Sequence, residues 1–195
     1  LPVTVKTRIG VAPHLLNVDE VTHAAEEGGA DAVTVHARFA SDGHTGPARW
    51  DVLKRVKQAR NIPVIGNGDV VGPDDAVRLI RHSGCAGVMI ARAAIRAPWV
   101  FRQADAAIRL AGLGDASSEV DATDRHRWEA ARAEPTLHEK ILTIRRHIDL
   151  CATHLDVRGA AELMRQRISW YGKSMGHVKP LKESIRTAVD LDSMQ

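Results

Sequence analysis

Cationic and amide side chains follow four short β-branched runs of the sequence. At the ends of these runs stand Lys6 and Arg8 for the first, His36 and Arg38 for the second, Asn67, Gly68 and Asp69 for the third, and Ala91 and Arg92 for the fourth. A single polar residue in such a place is ordinarily a loop residue that satisfies a backbone group. Four successive run ends with cations or Gly/Asn turns are better explained by a shared binding site for an anionic or polar ligand.

The segment Gly66-Asn67-Gly68-Asp69 is typical of a turn that binds an anion. Two glycines around one Asn permit positive φ and a close approach of the backbone, so the N–H groups of the turn can point at a phosphate. A short helix that begins at Arg92 would add further N–H groups and a guanidinium. The pattern predicts a phosphate site after the third and fourth runs; a tight turn without a ligand is the alternative.

Lys6 and His36 are the two candidates for direct chemistry. Lys6 would face a substrate oxygen or an electron-rich ring, or would pair with Asp69. His36 would hydrogen-bond a cofactor, act as an acid or base, or order the pocket. No Cys-x-x-Cys or His-Glu-x-x-His spacing occurs, so no metal site is predicted, and Cys85 and Cys151 are expected in the core.

Four strand–helix units must position these residues. Strands are predicted over residues 2–6, 32–36, 63–66 and 87–91, and their starts lie 30, 31 and 24 residues apart. In parallel sheets the carboxyl ends of all strands open onto one edge, where ligands bind. Asn17 and Glu20 have capping-box spacing before the first helix. Pro73 and Gly84 mark the start and the end of the third.

The pattern changes after Pro98. A helix is predicted over residues 99–111, a polar and acidic linker or loose insertion over 112–134, and three helices over about 137–155, 160–173 and 180–189. We therefore divide the chain into four βα units over residues 1–98, a helix and acidic linker over 99–134, and a small helical domain over 135–195.

Charge is unevenly distributed along the chain. Residues 115–139 hold 7 acidic and 3 basic side chains, whereas residues 140–186 hold 10 Lys/Arg and 4 Asp/Glu, a balance of +6. A basic helical domain indicates either a surface for a phosphate backbone, on which Arg165, Lys173 and Lys179 would lie, or a solvated helix face.

Composition limits the classes of protein. With 44% hydrophobic and 26% charged residues, the chain has the composition of a soluble globular protein, which excludes disordered and fibrous classes. The longest uncharged apolar run, residues 84–91, is too short to span a bilayer. Because no export leader is visible and only 2 cysteines occur, a cytoplasmic location is expected. The chain begins at Leu1 without Met, so we expect it to be part of a longer protein.

Taken in order, these segments resemble the bacterial tRNA-dihydrouridine synthases. The matching stretches are residues 2–8, 34–38, 46–50, 63–69, 84–92, 98–101, 162–165 and 170–173. The most specific are Pro-Val-Ile-Gly-Asn-Gly-Asp over 63–69 and Gly-Val-Met-Ile-Ala-Arg over 87–92.

This resemblance implies an α/β fold, in which residues 1–98 are the second half of an FMN-binding TIM (β/α)8 barrel and a small all-helical tRNA-binding domain follows. It implies reduction of tRNA uridines to 5,6-dihydrouridine, with NADPH as reductant. Contacts with the flavin ring are implied for Lys6 and His36. The ribityl-phosphate site would be lined by Asn67, Gly68, Asp69, Ala91 and Arg92, and the tRNA substrate would be bound by Arg8, Arg38, Arg165 and Lys173.

The chain departs from the family pattern in several places. Ala91 and Arg96 stand where the family usually has Gly, and Arg49 stands where it has an acid or Asn. The family's first four βα units and its catalytic Cys are expected upstream of Leu1, so we expect this chain alone to be inactive and to expose open sheet edges. The alternatives are another FMN barrel, such as a dihydroorotate dehydrogenase, and a non-catalytic RNA-binding module.

Overall fold

The strands form a parallel sheet in chain order. A computed structural model describes residues 1–43, 45–113, 121–175 and 179–188. The strands are β1 (Thr4–Arg8), β2 (Ala32–His36), β3 (Val64–Asn67) and β4 (Gly87–Met89), and the sheet order is β1-β2-β3-β4. The prediction of a mixed α/β chain with a parallel sheet is confirmed. Arg8 and Asn67, predicted to follow their strands, are instead the last residues of β1 and β3.

Nine helices lie within the described residues. They are α1 (Val18–Glu27), α2 (Trp50–Ala59), α3 (Pro73–Ser83), α4 (Arg92–Arg96), α5 (Val100–Leu110), α6 (Ala122–Arg132), α7 (Leu137–His154), α8 (Val157–Tyr171) and α9 (Lys179–Thr187). As predicted, α3 begins at Pro73, and Gly84 ends it in the left-handed conformation, with φ 71°. The capping box predicted for Asn17 is wrong, because this side chain makes no capping hydrogen bond in the described chain. The Asn17 N–H instead donates to the Ile9 carbonyl at 3.3 Å, which fixes the start of α1.

The chain forms two compact units. The first comprises Leu1–Ala91 and Val100–Arg132, and it contains the sheet with α1, α2, α3, α5 and α6. The second comprises Arg92–Trp99 and Ala133–Gln195, and it contains α4, α7, α8 and α9. The domain boundaries at residues 98 and 134 stay a prediction, although α5 and α6 cluster with the sheet.

The acidic stretch, which the sequence assigned to a linker or a loose insertion, contains the helix α6, so it is neither a linker nor loose over Ala122–Arg132. The ring of Trp128 lies under the Arg109 guanidinium of α5, 4.7 Å from ring centroid to carbon, and Arg132 forms an ion pair of 2.5 Å with Asp74. Hydrophobic periodicity missed α6 because none of its residues is fully buried. Residues 114–120 of the stretch lie outside the described residues.

The core of the second unit lies between α7, α8 and α9. Its largest buried side chains are Ile148, Met164 and Ile168. The apolar side chains of α7 are buried at its centre, at Ile144, Ile148 and Cys151, whereas Leu137 and Leu155 at its ends are exposed. No helix in the described part of the chain is both long and apolar enough to cross a membrane.

Candidate functional site

The sheet has an apolar face that packs against helices. Residues paired across neighbouring parallel strands share a face, and the register pairs Val33 with Val64 and Val35 with Gly66. All four are buried. A Cβ on Gly66 would lie 2.5 Å from Cδ2 of Leu79 in α3. The first glycine of the predicted anion turn therefore serves close helix packing.

The opposite face is polar and carries the predicted site residues. One row across the strands contains Lys6, Thr34 and Ile65, and the next row contains Arg8, His36, Asn67 and Met89. Neighbouring strands lie about 4.8 Å apart, so Arg8, His36 and Asn67 stand side by side. The Asn67 amide Nδ2 donates to the Met89 carbonyl at 2.8 Å, which fixes its orientation. The structure thus brings predicted residues of three strands onto one face.

Thr34 is a member of this face that the sequence analysis did not single out. It is 8% exposed and lies between Lys6 and Ile65 in the register. Two-residue alternation along β2 places Thr34 on the same face as His36, so the strand period was the signal that could have found it.

Lys6 lies on this face in an electropositive setting. Its side chain is exposed, yet partial burial of the ammonium, together with the charge of the nearby Arg8, lowers the pKa of Lys6 from its ordinary value. Asp69, the partner that the sequence offered for Lys6, forms an ion pair with Arg38 instead. The predicted contact of Lys6 with a substrate oxygen or an electron-rich ring stays a prediction.

Arg38 joins the loop after β2 to the end of β3. It is 2% exposed, and its Nη2 lies 2.6 Å from Asp69 Oδ1 and 2.6 Å from the Gly46 carbonyl oxygen. The other carboxylate oxygen of Asp69 accepts a hydrogen bond of 2.7 Å from the Ala48 N–H. A buried guanidinium with these partners positions the loop, and the predicted substrate contact of Arg38 stays a prediction.

Gly68 and Asp69 have left-handed backbone conformations. Their φ angles are 128° and 56°. A Cβ on Gly68 would lie 2.8 Å from the Ala48 Cβ, and the Gly68 carbonyl accepts a hydrogen bond of 3.0 Å from Trp50 Nε1. Contacts within the protein thus account for the shape of this turn, and the phosphate contact assigned to it stays a prediction.

Two further arginines, Arg8 and Arg49, contact the loop after β2. Arg8 Nη1 donates to the carbonyl oxygens of Phe39 at 2.8 Å and Gly43 at 3.3 Å. Arg49 lies over the Phe39 ring at 4.7 Å and pairs with Asp42 at 2.5 Å. The Arg49 guanidinium holds the pKa of the Asp42 carboxyl below its usual range. Arg49, a departure from the family pattern, is thus part of the loop's internal structure.

The fourth strand end leads into a short helix, as predicted. Ala91 follows β4, and Arg92 is the first residue of α4, in the second unit. The other departure, Arg96, ends α4, with its guanidinium 5.6 Å from the centroid of the Trp170 ring. Its carbonyl accepts a hydrogen bond of 3.0 Å from the Ser174 hydroxyl. Arg96 therefore joins α4 to the end of α8.

The cations predicted to contact RNA differ in their surroundings. Arg165 is half-buried and donates to the Ala188 carbonyl at 2.8 Å, so it holds the end of α9. Lys173 is exposed, with Nζ 5.5 Å from the Trp170 ring centroid, and Lys179 is exposed at the start of α9. Lys173 and Lys179 are the accessible members of this set.

Cys85 and Cys151 are buried, at 3% and 5% exposure, which confirms their prediction as core residues. Burial raises the pKa of both thiols. Among the described residues, no three His, Cys, Asp or Glu side chains form a group suited to a metal ion.

A four-stranded parallel sheet in chain order, with helices between its strands, defines an α/β protein built from repeated strand–helix units. The family model described as dihydrouridine synthase matches residues 1–194. The chain belongs to this family, and the predicted resemblance is confirmed.

Curated relatives agree with this assignment. The chain is 36% identical over 173 residues to a probable tRNA-dihydrouridine synthase of Mycobacterium tuberculosis (strain H37Rv), covering 88% of this chain and 40% of the relative. It is 33% identical over 195 residues to a probable tRNA-dihydrouridine synthase of Mycobacterium leprae, covering 100% of this chain and 46% of the relative. With tRNA-dihydrouridine synthase B of Escherichia coli K12 the identity is 41% over 103 residues, covering 53% and 32%. The chain thus spans less than half the length of these relatives.

Proposed function

We propose that the natural protein carrying this chain reduces specific uridines of tRNA to 5,6-dihydrouridine. The family match over residues 1–194 supports this proposal most strongly. The relatives' names specify a tRNA-dihydrouridine synthase. The polar sheet face adds a site where a flat, polar ligand could be held. The reaction adds two electrons and two protons across the C5–C6 double bond of uracil.

We also propose that the four parallel strands are part of a (β/α)8 barrel. Their chain-order arrangement and the intervening helices α1, α2 and α3 are the repeating unit of such a barrel. In this arrangement the polar face would be turned toward the barrel axis. The row with Arg8, His36 and Asn67 would lie at the carboxyl-terminal end of the barrel strands, where active sites of such barrels are formed.

FMN is the cofactor that the polar face fits. Its donor set combines the Lys6 ammonium, the His36 imidazole and the Asn67 amide. Such groups suit a ring that becomes electron-rich and carries several hydrogen-bonding atoms. The chemistry that FMN supplies when bound is the transfer of two electrons from NADPH to the uracil ring. In this proposal, Asn67, Gly68, Asp69 and Ala91 form the ribityl-phosphate end of the site, and the contact implied for Arg92 stays a prediction.

Each residue of the face has a distinct task in this proposal. Lys6 stabilises negative charge with its ammonium, and His36 hydrogen-bonds and orients the ring system. Asn67 is held by the Met89 carbonyl and offers a fixed amide. The Arg38–Asp69 pair positions the loop after β2 and so shapes the edge on the substrate side.

Dihydrouridine formation tests this proposal. The natural protein carrying this chain is produced in a bacterial strain lacking its own dihydrouridine synthases, and the dihydrouridine in digested tRNA is measured by mass spectrometry. We expect a yellow protein and dihydrouridine at one or a few tRNA positions. Lys6→Gln should slow reduction on the order of 100-fold, because an electrostatic contact at the reacting ring is lost. Lys54→Gln, an exposed site on α2, should retain the activity.

Other outcomes would overturn the proposal in distinguishable ways. A flavoprotein that oxidises dihydroorotate and leaves tRNA unchanged would be a different FMN enzyme. A protein that binds tRNA without flavin and forms no dihydrouridine would be a non-catalytic RNA-binding module. Equal activity of Lys6→Gln and Lys54→Gln would remove Lys6 from the site.

A further inference from the structure

The second unit contains a cavity of about 450 Å³ whose lining combines cationic and apolar side chains. Its characteristic residues are Ile95 after the first turn of α4, Arg146, His147 and Leu150 on α7, and Arg167 and Tyr171 on α8. This volume lies within the range of small-ligand sites, roughly 300–1,000 Å³. The cavity is not predictable from local sequence patterns, because its residues come from three separate helices.

Two guanidiniums give the cavity its charge. Arg146 is exposed and Arg167 is half-buried. Within the described residues, neither forms an ion pair with a carboxylate. Arginine is the side chain best suited to a phosphate, because its planar donors form paired hydrogen bonds with two phosphate oxygens. Two such groups at one cavity indicate an anionic ligand.

A polar pair forms the floor next to these arginines. His147 Nδ1 lies 2.9 Å from the Tyr171 hydroxyl, and the two rings meet edge to face at 6.0 Å. Burial, and then the charge of Arg167, lower the pKa of His147, so the imidazole is neutral at neutral pH. The positive charge of the cavity therefore comes from the arginines, while the floor offers neutral hydrogen-bonding groups.

The remaining wall is apolar and accessible. Ile95 is 37% exposed and Leu150 is 47% exposed. Apolar side chains beside cationic ones fit a ligand that has a flat ring at one end and a phosphate at the other, which is the chemistry of a nucleotide. Because residues 140–186 have a balance of +6, a polyanion is also attracted to the surrounding surface.

We propose that this cavity binds one nucleotide of an RNA ligand, with its phosphate at Arg146 and Arg167 and its base against Ile95 and Leu150. This inference rests on the proposed function and goes beyond it, since it assigns to the helical unit a pocket for an individual nucleotide. A free nucleotide, such as the adenosine phosphate end of NADPH, has the same chemistry, so the experiment includes both sources.

A matched pair of neighbouring arginines tests the phosphate contact. Arg145 and Arg146 are adjacent exposed residues of α7, and only Arg146 lines the cavity. In the natural protein, Arg146→Ala should weaken tRNA binding about tenfold or more, since a charge-assisted hydrogen bond is lost. It should also lower the slope of log affinity against log salt by about 0.7–0.9. Arg145→Ala should change the affinity by less than about twofold, because an exposed distant charge is screened.

A second matched pair tests the apolar wall. Leu150→Glu introduces a carboxylate at the cavity, whereas Leu142→Glu introduces one elsewhere on α7, and the two leucines are 47% and 49% exposed. Both variants should fold, because neither side chain is in the core, and circular dichroism checks this. We expect a loss of tRNA affinity of about tenfold for Leu150→Glu relative to Leu142→Glu.

Four outcomes would overturn the inference. Equal effects within each matched pair would mean that general charge alone attracts the RNA. Loss of NADP⁺ or UMP affinity in Arg146→Ala, with unchanged tRNA affinity, would assign the cavity to a free nucleotide. If the wild-type protein forms dihydrouridine while Arg146→Ala binds tRNA like Arg145→Ala, only this inference fails. If the wild-type protein neither binds nor modifies tRNA, the proposed function fails with it.

Discussion

At the scale of single residues, the ion pair between Arg38 and Asp69 holds the carboxyl edge of the sheet. Arg38 is almost fully buried, while the Asp69 side chain is 33% exposed. Asp69 has the left-handed φ of 56° without being glycine, and both of its carboxylate oxygens hold the loop after β2. A conformation of this kind persists because its surroundings determine it.

Arg38→Ala should therefore destabilise the protein strongly. It removes the hydrogen bonds to Asp69 and Gly46 and leaves a partly buried carboxylate without its cation, which we expect to cost roughly 2–4 kcal/mol of unfolding free energy. The control is Arg55→Ala, because Arg55 forms a pair of 2.7 Å with Asp19 in which both side chains are 49% and 44% exposed. Arg55→Ala should change the free energy of unfolding by less than about 0.5 kcal/mol. Urea unfolding measures both, and equal midpoints would show that Arg38 is not structural.

The sequence predicted Lys6, His36 and Asn67 because strand ends and turns are local features. The internal task of Arg38 could not be predicted in this way, since its carboxylate partner lies 31 residues further along the chain. The role of Gly66 was likewise hidden, because the leucine that requires a glycine there belongs to a helix. Spacing alone does not tell a ligand contact from a long-range packing contact.

At the scale of elements, a hydrogen bond between His147 and Tyr171 joins α7 to α8. The lowered pKa of His147, caused by burial and then by Arg167, means that the folded protein resists protonating this imidazole. The unfolded chain takes up the proton near its ordinary value of about 6.5. The stabilising contribution is therefore present above that value and is lost as the pH falls through it toward the lower pKa of the folded state.

We expect stability to fall as the pH drops through and below about 6.5, with part of the change contributed by His147. His147→Gln should flatten this part of the pH profile, because it removes the imidazole that the folded protein keeps from being protonated. Thermal unfolding across this pH range provides the measurement. A profile unchanged by His147→Gln would show that other groups cause the acid sensitivity.

The sequence predicted α7, α8 and α9 because their apolar positions repeat at helical spacing. It missed α6, whose attachment to α5 depends on Trp128, Arg109 and a polar network rather than on a buried stripe. The burial of Lys140 was not predicted either, because a charged residue is ordinarily expected on the exposed face of a helix. It falls within an apolar helix, yet it is 8% exposed, with Nζ 2.6 Å from Glu134 and donating to the Ser174 carbonyl at 3.0 Å.

At the scale of the whole molecule, each unit presents a basic surface. In the second unit, Lys173 and Lys179 are exposed near the ends of α8 and α9. In the first unit, Lys54, Lys57 and Arg81 line a cavity of about 530 Å³ at the carboxyl ends of α2 and α3. Lys57 and Arg81 lie near the carboxyl ends of α2 and α3, where cations complement the helix dipole, which is a sufficient reason for them. Lys173 also follows a helix carboxyl end, whereas Lys179 begins α9, where the dipole does not favour a cation. The surface with Lys173 and Lys179 is therefore the better candidate for RNA.

Salt dependence distinguishes the two surfaces. Each phosphate contact releases condensed counterions, so losing one lowers the slope of log affinity against log salt by about 0.7–0.9. We expect the double variant Lys173→Gln/Lys179→Gln to weaken tRNA binding and to lower the slope by about 1.5. The matched double variant Lys54→Gln/Lys57→Gln removes the same charge from the first unit and should keep the wild-type slope. Both are measured in the natural protein at several salt concentrations, with flavin content as the check that the sheet unit is intact. A slope that falls only in the Lys54→Gln/Lys57→Gln variant would assign the RNA contact to the first unit. Both double variants remove the same charge, so a difference between their slopes would depend only on where the lysines lie.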